Sequence, residues 1–249
     1  MLGSGTSIPS ARRGAPGYLV RVGRDVVVMD CGPGTLTRLL RAGVRHDQVT
    51  HILCTHIHLD HIGELAHWMF LSGIPTAGRT APLTLCGSAG VMRVLSGLRE
   101  LFGEWMDARS YTRTLVTMDG AAGSRLAFDG WSLQAFPVRH IESSLAWRIT
   151  SGEGRSLAYT GDTDTCDALT DLARDVDLLL IETSMPDDRK IPGHLTPSEA
   201  GDVARRAGAR QVVLTHFYPP CDDADMLAQL RRVYHGPASL AEDGMVLRP

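Results

Sequence analysis

Three histidines and an aspartate fall within six consecutive positions, His56-Ile57-His58-Leu59-Asp60-His61. Imidazole nitrogens and a carboxylate oxygen are donors that divalent transition metals accept readily. The cluster follows the apolar stretch His51 to Thr55, which reads as a strand, and precedes a helical pattern. Its side chains therefore sit where the backbone changes direction and can converge. Polar turn residues that happen to be histidine are the plain competitor, but composition rarely produces H-x-H-x-D-H by chance. The alternating pair His56 and His58 projects differently from the adjacent pair Asp60 and His61, so one tetrahedral ion does not suit all four. Two ions are the natural reading, and they call for ligands from elsewhere in the chain, one of them a carboxylate able to bridge. Three residues close apolar stretches in the right way: His140 after WSLQAFPVR, Asp162 after SLAYTG and His216 after QVVLT.

Positioning such residues is the work of strands that end near one another. Short apolar runs alternate with helical patterns, which points to an α/β layered fold. Strands are expected at Gly17 to Val22, Asp25 to Asp30, His51 to Thr55, Leu83 to Cys86, Trp131 to Val138, Ser144 to Thr150, Ser156 to Thr160, Asp177 to Glu182 and Gln211 to Thr215. Helices are expected at Gly34 to Ala42, Ile62 to Leu71, Ala89 to Phe102, Thr165 to Ala173, Pro197 to Ala207 and Ala224 to Tyr234. Val91, Met92, Val94, Leu95, Leu98, Leu101 and Phe102 recur at helical spacing and read as a core stripe. Ile74 to Pro82 and Met185 to Gly193 carry Pro and Gly punctuation and read as surface loops. Leu2 to Ser7 reads as the end of a first strand, which leaves room for a few native residues before Met1.

The 249 residues, 43% of them apolar, suffice for one substantial core, and residues 1–249 are expected to form a single domain. No run is long and apolar enough to span a bilayer, and the N-terminus lacks the regions of a signal peptide, so a cytoplasmic protein without a membrane partner is expected. The five cysteines are scattered, with no C-x-x-C pair, and read as reduced packing residues. A formal net charge of −3 gives no overall pull toward nucleic acid, although the pairs Arg12-Arg13, Arg205-Arg206 and Arg231-Arg232 could touch a phosphate backbone. His46, His51, His67 and His235 match no motif and are assigned to the surface or to packing.

The order LGSGTSIPSARRGAPGYLV, DCGPG, THIHLDH, PVRH, YTGDT, GHLT and LTHF resembles, nearly end to end, the metallo-β-lactamase fold superfamily and within it the ribonuclease Z-like phosphodiesterase branch. That resemblance implies an αββα four-layer sandwich with the site at one edge between the sheets. It implies two zinc ions, with Mn²⁺ or Fe²⁺ as substitutes. His56, His58 and His140 would hold one ion, Asp60, His61 and His216 the other, and Asp162 would bridge them. Asp30 matches an aspartate that supports the ligand loops, and its competing reading is a turn residue before Gly32-Pro33. His194, in His194-Leu195-Thr196, matches a histidine that gives a proton to the leaving oxygen, with Glu182 as its partner. Asp60, His194 and Glu182 are thus the catalytic candidates. Thr196 has its own structural reading, because T-P-S-E makes a helix N-cap with a capping box.

A hydroxide bridging two such ions would attack a phosphodiester in line, in a small molecule or in RNA as an endonuclease. The same site could open a carbonyl ester, lactone or thioester, and a non-catalytic metal-binding scaffold is the third reading. Homodimerisation is left open. Ribonuclease Z proteins insert a long tRNA-gripping arm between the positions matching His140 and Asp162. Only 22 positions separate those residues here, filled by two expected strands and the turn SGEGRS.

Overall fold

The computed structural model describes residues 1–74, 76, 79–121 and 124–249. A first sheet runs in the order β1 (Gly17–Val22), β2 (Asp25–Cys31), β3 (His51–Cys54), β4 (Leu83–Gly87) and β5 (Arg113–Thr117). β1 and β2 form an antiparallel hairpin, and β2 to β5 run parallel. Parallel neighbours need crossovers, and α1 (Thr35–Arg41), α2 (Leu59–Ile62), α3 (Leu65–Gly73) and α4 (Ala89–Phe102) lie in them. The second sheet contains β6 (Arg125–Phe128), β7 (Trp131–Pro137), β8 (Leu145–Ser151), β9 (Ser156–Tyr159), β10 (Leu178–Glu182), β11 (Val212–Thr215) and β12 (Ala238–Leu240). β6 to β9 pair antiparallel and β9 to β12 parallel, with α5 (Ala168–Leu172), α6 (Pro197–Ala207) and α7 (Met226–Arg231) in the crossovers.

Two-residue alternation sets the layers. Val27, Met29 and Leu53 point into an apolar cluster shared with Trp147, Tyr159 and Leu180 of the second sheet. Their neighbours Val26, Val28, Ile52 and Cys54 point the other way, onto Leu39, Leu65, Trp68 and Val91 of the helices. Helices α5, α6 and α7 cover the far face of the second sheet through Leu172, Ala204 and Leu230. The result is the expected αββα sandwich. β3, β9, β10 and β11 are buried at every position, which is why they read as unbroken apolar runs. Each fully buried Leu or Val in them contributes about 1.5–3 kcal/mol. At the edge away from their C-terminal ends the sheets are tied by Trp131, whose indole N–H donates to Asp25 at 2.7 Å, and by buried His51, whose ring packs on Phe128 and Trp131.

Several expectations need correction. Leu2–Ser7 is not a strand: Gly3 makes one isolated bridge to Gly17. Of the stripe on α4, Val91 is buried and Met92, Val94, Leu95 and Leu98 pack half-buried against the core, while Leu101, 74% exposed, and Phe102, 46% exposed, lie at the surface at the end of the helix. In the 74–82 segment, of which residues 75, 77 and 78 lie outside the described residues, Arg79 is buried rather than at the surface, and it donates to the carbonyls of His46, Val49 and Pro82. β5, β6, β12 and α2 were not expected. The first three are edge or near-edge strands with half-exposed, mixed composition, and α2 is a single turn inside the histidine cluster.

Candidate metal centre

The seven ligand candidates all leave the carboxyl ends of strands at one edge of the sandwich, where loops open on a crevice in α/β sheets. His56 and His58 follow β3, Asp60 and His61 form the first turn of α2, and His140 follows β7. Asp162 follows β9 and His216 follows β11. Three donor groups form there: His56, His58, His140 and Asp162; Asp60, His61 and His216; and Asp162, His194 and His216, each with its donor atoms within 4.8 Å of one another. Asp162 belongs to the first group and the third, and its carboxylate reaches His61 Nε2 at 3.2 Å and His216 Nε2 at 3.3 Å.

The outer ring nitrogens are anchored, which decides where the inner ones point. His61 Nδ1 lies 2.7 Å from Asp30 Oδ2, and His140 Nδ1 donates to the carbonyl of Gly193 at 2.9 Å. The Thr55 hydroxyl donates to Asp30 at 2.9 Å, so it accepts from His56 Nδ1 at 3.0 Å. His216 Nδ1 is 3.0 Å from the Ser184 hydroxyl. With these Nδ1 protons spent outward, each of the four imidazoles in its neutral form turns a bare Nε2 inward. His61 Nε2 and His216 Nε2 approach to 3.3 Å, and His140 Nε2 lies 3.0 Å from His58 Nδ1. His58 Nδ1 can donate to His140 Nε2 as an ordinary N–H, whereas two bare Nε2 atoms as close as those of His61 and His216 require a proton or a metal ion between them. Buried His56 Nε2 and Asp162 Oδ1 have no hydrogen-bond partner among the described residues, an expensive arrangement unless an ion satisfies them. The donor set fits divalent transition metals.

Charge within the cluster is correspondingly tense. Burial, reinforced by neighbouring His61, holds the His56 imidazole well below its usual range. Burial would depress His61 too, but Asp162 and Asp30 outweigh it and raise it well above the ordinary imidazole value. Burial pushes the Asp162 carboxyl upward, and His216 and His61 overcome that and hold it well below the ordinary carboxylate range.

His194 and Glu182 also meet, as the motif suggests. Glu182 ends β10, fully buried, and its Oε1 accepts from His194 Nδ1 at 2.9 Å. Burial lowers the His194 imidazole, but the Glu182 hydrogen bond and charge win and raise it above 6.5. The helix start is as read: Thr196 N–H donates to Glu199 Oε2 at 2.9 Å, with Pro197 in the first turn of α6. Asp30, whose φ is +53°, does more than turn the chain: it gathers Thr55, His61 and Tyr159 around one buried carboxylate.

Three residues escaped the sequence reading. Ser184 Oγ touches Glu182, His194 and His216. Asp164 accepts from Gly193 N–H and from Lys190, each at 2.9 Å, and so fixes the loop between His140 and His194. Those bonds, with Lys190 charged alongside, overcome the effect of its partial burial and bring its carboxyl down to about 2. Half-buried Tyr218 sets its ring beside His194 and His216, with centroids 6.1 and 6.0 Å away. Only Tyr218 had a sequence signal, its place two residues after the ligand candidate His216. The arginine pairs are largely committed elsewhere: Arg13 to Asp222 and the Ala241 carbonyl, Arg205 and Arg206 to Asp202, and Arg232 to Asp187.

A two-sheet sandwich with histidine and aspartate donors gathered at the ends of its strands defines a metal-dependent hydrolase. The family described as Beta-lactamase superfamily domain matches residues 26–217. The ribonuclease Z of Mycobacterium bovis (strain BCG / Pasteur 1173P2) is 32% identical over 239 residues, covering 88% of this chain and 85% of that protein. Among solved structures, the metallo-β-lactamase fold protein YhfI from Bacillus subtilis superposes with a TM-score of 0.83 at 22% identity, over 98% of this chain and 95% of that one. The short form of human tRNase Z superposes with a TM-score of 0.78 at 25% identity, over 99% and 97%. The chain belongs to the β-lactamase superfamily, and within it to the ribonuclease Z-like branch.

Proposed function

We propose that this protein is a phosphodiesterase resembling ribonuclease Z, working with two divalent ions, zinc foremost, with Mn²⁺ or Fe²⁺ as substitutes. The observation that carries the proposal is the convergence of seven donors whose outer ring nitrogens are already bonded. In this reading His56, His58 and His140 hold one ion, Asp60, His61 and His216 the other, and Asp162 touches both. Bound there, the ions supply an acidified water and neutralise charge on the group under attack. His194 gives its proton to the leaving oxygen, and Glu182 keeps that proton on the ring. Asp60, 3.4 Å from His216 Nε2, faces the reacting centre from the side of α2. Purified protein supplemented with zinc should hold close to two ions per chain by elemental analysis. Saturation at one ion would refute the pairing.

The substrate is a phosphodiester in a small molecule or at an accessible RNA end. β8 and β9 pair directly across the turn from Ser151 to Ser156, so the segment between His140 and Asp162 forms a hairpin and no arm projects there to grip a tRNA body. No helix among the described residues is long and apolar enough to cross a membrane, and five unpaired cysteines suit a reducing compartment. A cytoplasmic setting is part of the same proposal, supported by the cysteines alone.

Homodimerisation belongs to the same proposal. Phe70, Leu101, Phe102, Trp105 and Leu115 are all more than a third exposed, on α3, the end of α4, the turn after it and β5, the edge strand of the first sheet, with the Phe70 and Trp105 rings 5.6 Å apart. Apolar surface of that kind marks an association site more often than a solvated face. Light scattering should give a dimer. Phe102→Glu should shift it to monomer while zinc content stays unchanged, and a monomeric wild-type protein would refute the proposal.

A further inference from the structure

Ser184 stands two residues beyond the end of β10 and is fully buried. Its backbone is pinned, because its carbonyl accepts from Tyr218 N–H at 3.3 Å and from the Cys221 thiol at 3.2 Å. Its hydroxyl lies 2.9 Å from Glu182 Oε2, 2.9 Å from His194 Nδ1 and 3.0 Å from His216 Nδ1. A hydroxyl has one proton and two lone pairs. An ionised carboxylate only accepts, so the Ser184 proton goes to Glu182. The lone pairs then accept from the two imidazoles. His216 must therefore carry its proton on Nδ1, and its Nε2 is bare toward His61 and Asp162, at 3.3 Å from each. His194 shares its Nδ1 proton between Glu182 Oε1 and Ser184, both at 2.9 Å.

The other sheet contains the same device. Asp30 binds His61 directly and reaches His56 through the Thr55 hydroxyl. Glu182 binds His194 directly and reaches His216 through the Ser184 hydroxyl. In each half one buried carboxylate, extended by one hydroxyl, orients two imidazoles. In the first half both are ligand candidates; in the second, one is a ligand candidate and the other the proton donor.

We infer that Ser184 is a positioning residue through which Glu182 fixes both the ligand tautomer of His216 and the orientation of the proton donor His194. The inference rests on the roles proposed for those two histidines. Without the hydroxyl, His216 Nδ1 has no acceptor among the described residues in a buried position, and the ring is free to exchange tautomers.

The test compares Ser184→Ala with Ser184→Thr, which restores the hydroxyl. Side-chain ¹⁵N spectra of metal-free wild-type protein at alkaline pH should show His216 as the Nδ1–H tautomer. Ser184→Ala should show a tautomer mixture and bind zinc about 10- to 100-fold more weakly in chelator competition, the usual cost of losing a ligand's outer partner. Ser184→Thr should restore the single tautomer and recover most of the affinity. Circular dichroism of all three proteins guards against misfolding. Wild-type tautomers and zinc affinity in Ser184→Ala would overturn the inference, as would a Thr variant that stays folded but is no better than Ala. The tautomer measurement needs neither metal nor turnover. A wild-type protein with the expected tautomers but no phosphodiester hydrolysis would therefore uphold Ser184 and overturn only the proposed reaction.

Discussion

Asp162→Ala will abolish hydrolysis and empty much of the metal centre while leaving the fold in place. The side chain is 2% exposed and faces His56, His61, His140 and His216, with its oxygens 3.2 to 3.8 Å from their Nε2 atoms. Removing it takes the compensating negative charge from the middle of four imidazoles and a donor from both proposed ion positions. Loss of an outer partner alone costs about 10- to 100-fold in affinity or activity. A donor shared by two ions should cost more, so turnover should fall by more than about 10³-fold and zinc content well below two per chain. The backbone is held independently, by the pairing of β9 with β8 and β10, so circular dichroism should match the wild type. Asp162→Asn is the informative companion. It keeps the volume but not the charge, and should bind less zinc than the wild type if charge is what the imidazoles require. Near-normal turnover by Asp162→Ala would remove the bridging role.

The convergence of the seven candidate donors was legible in the sequence because each follows an apolar strand, and a strand end is a place that composition marks. His140, Asp162 and His216 come directly or within a few residues after β7, β9 and β11, and the parallel order of β9 to β11 brings two of those ends together. Family resemblance then assigned roles that spacing alone left open. Ser184 and Asp164 were illegible for a different reason. A serine or an aspartate in a loop satisfies local turn chemistry in most proteins, and nothing in the sequence says that the serine oxygen meets an imidazole 10 residues away or the aspartate oxygen a backbone N–H 29 residues away. The same limit hid β5, β6 and β12, since edge strands keep a solvated side and lose the unbroken apolar run that betrays a central strand. Arg79 reversed its expectation because a guanidinium inside a loop can satisfy three carbonyls at once, an outcome set by tertiary placement rather than by composition.

His194→Ala should separate hydrolysis of a phosphodiester with a poor leaving group from reactions that need no proton donor. On an alkyl phosphodiester the loss should be about 10²- to 10⁴-fold, the range for general acid catalysis. On a p-nitrophenyl ester the loss should shrink toward unity, because that leaving group is stable without a proton. The pH profile supplies a second reading of the same group. Burial lowers the His194 imidazole, but the Glu182 hydrogen bond and charge outweigh it and raise it above its ordinary value, so the protonated donor form persists to higher pH than on a free imidazole. Alkyl phosphodiesterase activity should therefore be present below the raised value and decline as pH climbs through it. Glu182→Gln removes the main raising influence, so that decline should begin at lower pH. Zinc content has to be followed in each variant, since His194 lies within ligand reach of Asp162 and His216, and a fall in zinc would make it a ligand rather than an acid. Equal losses on good and poor leaving groups, with zinc retained, would reduce His194 to a residue that holds substrate or loop. The phosphodiester reading would then lose its only residue-specific support, and the carbonyl ester, lactone and thioester alternatives would stand level with it.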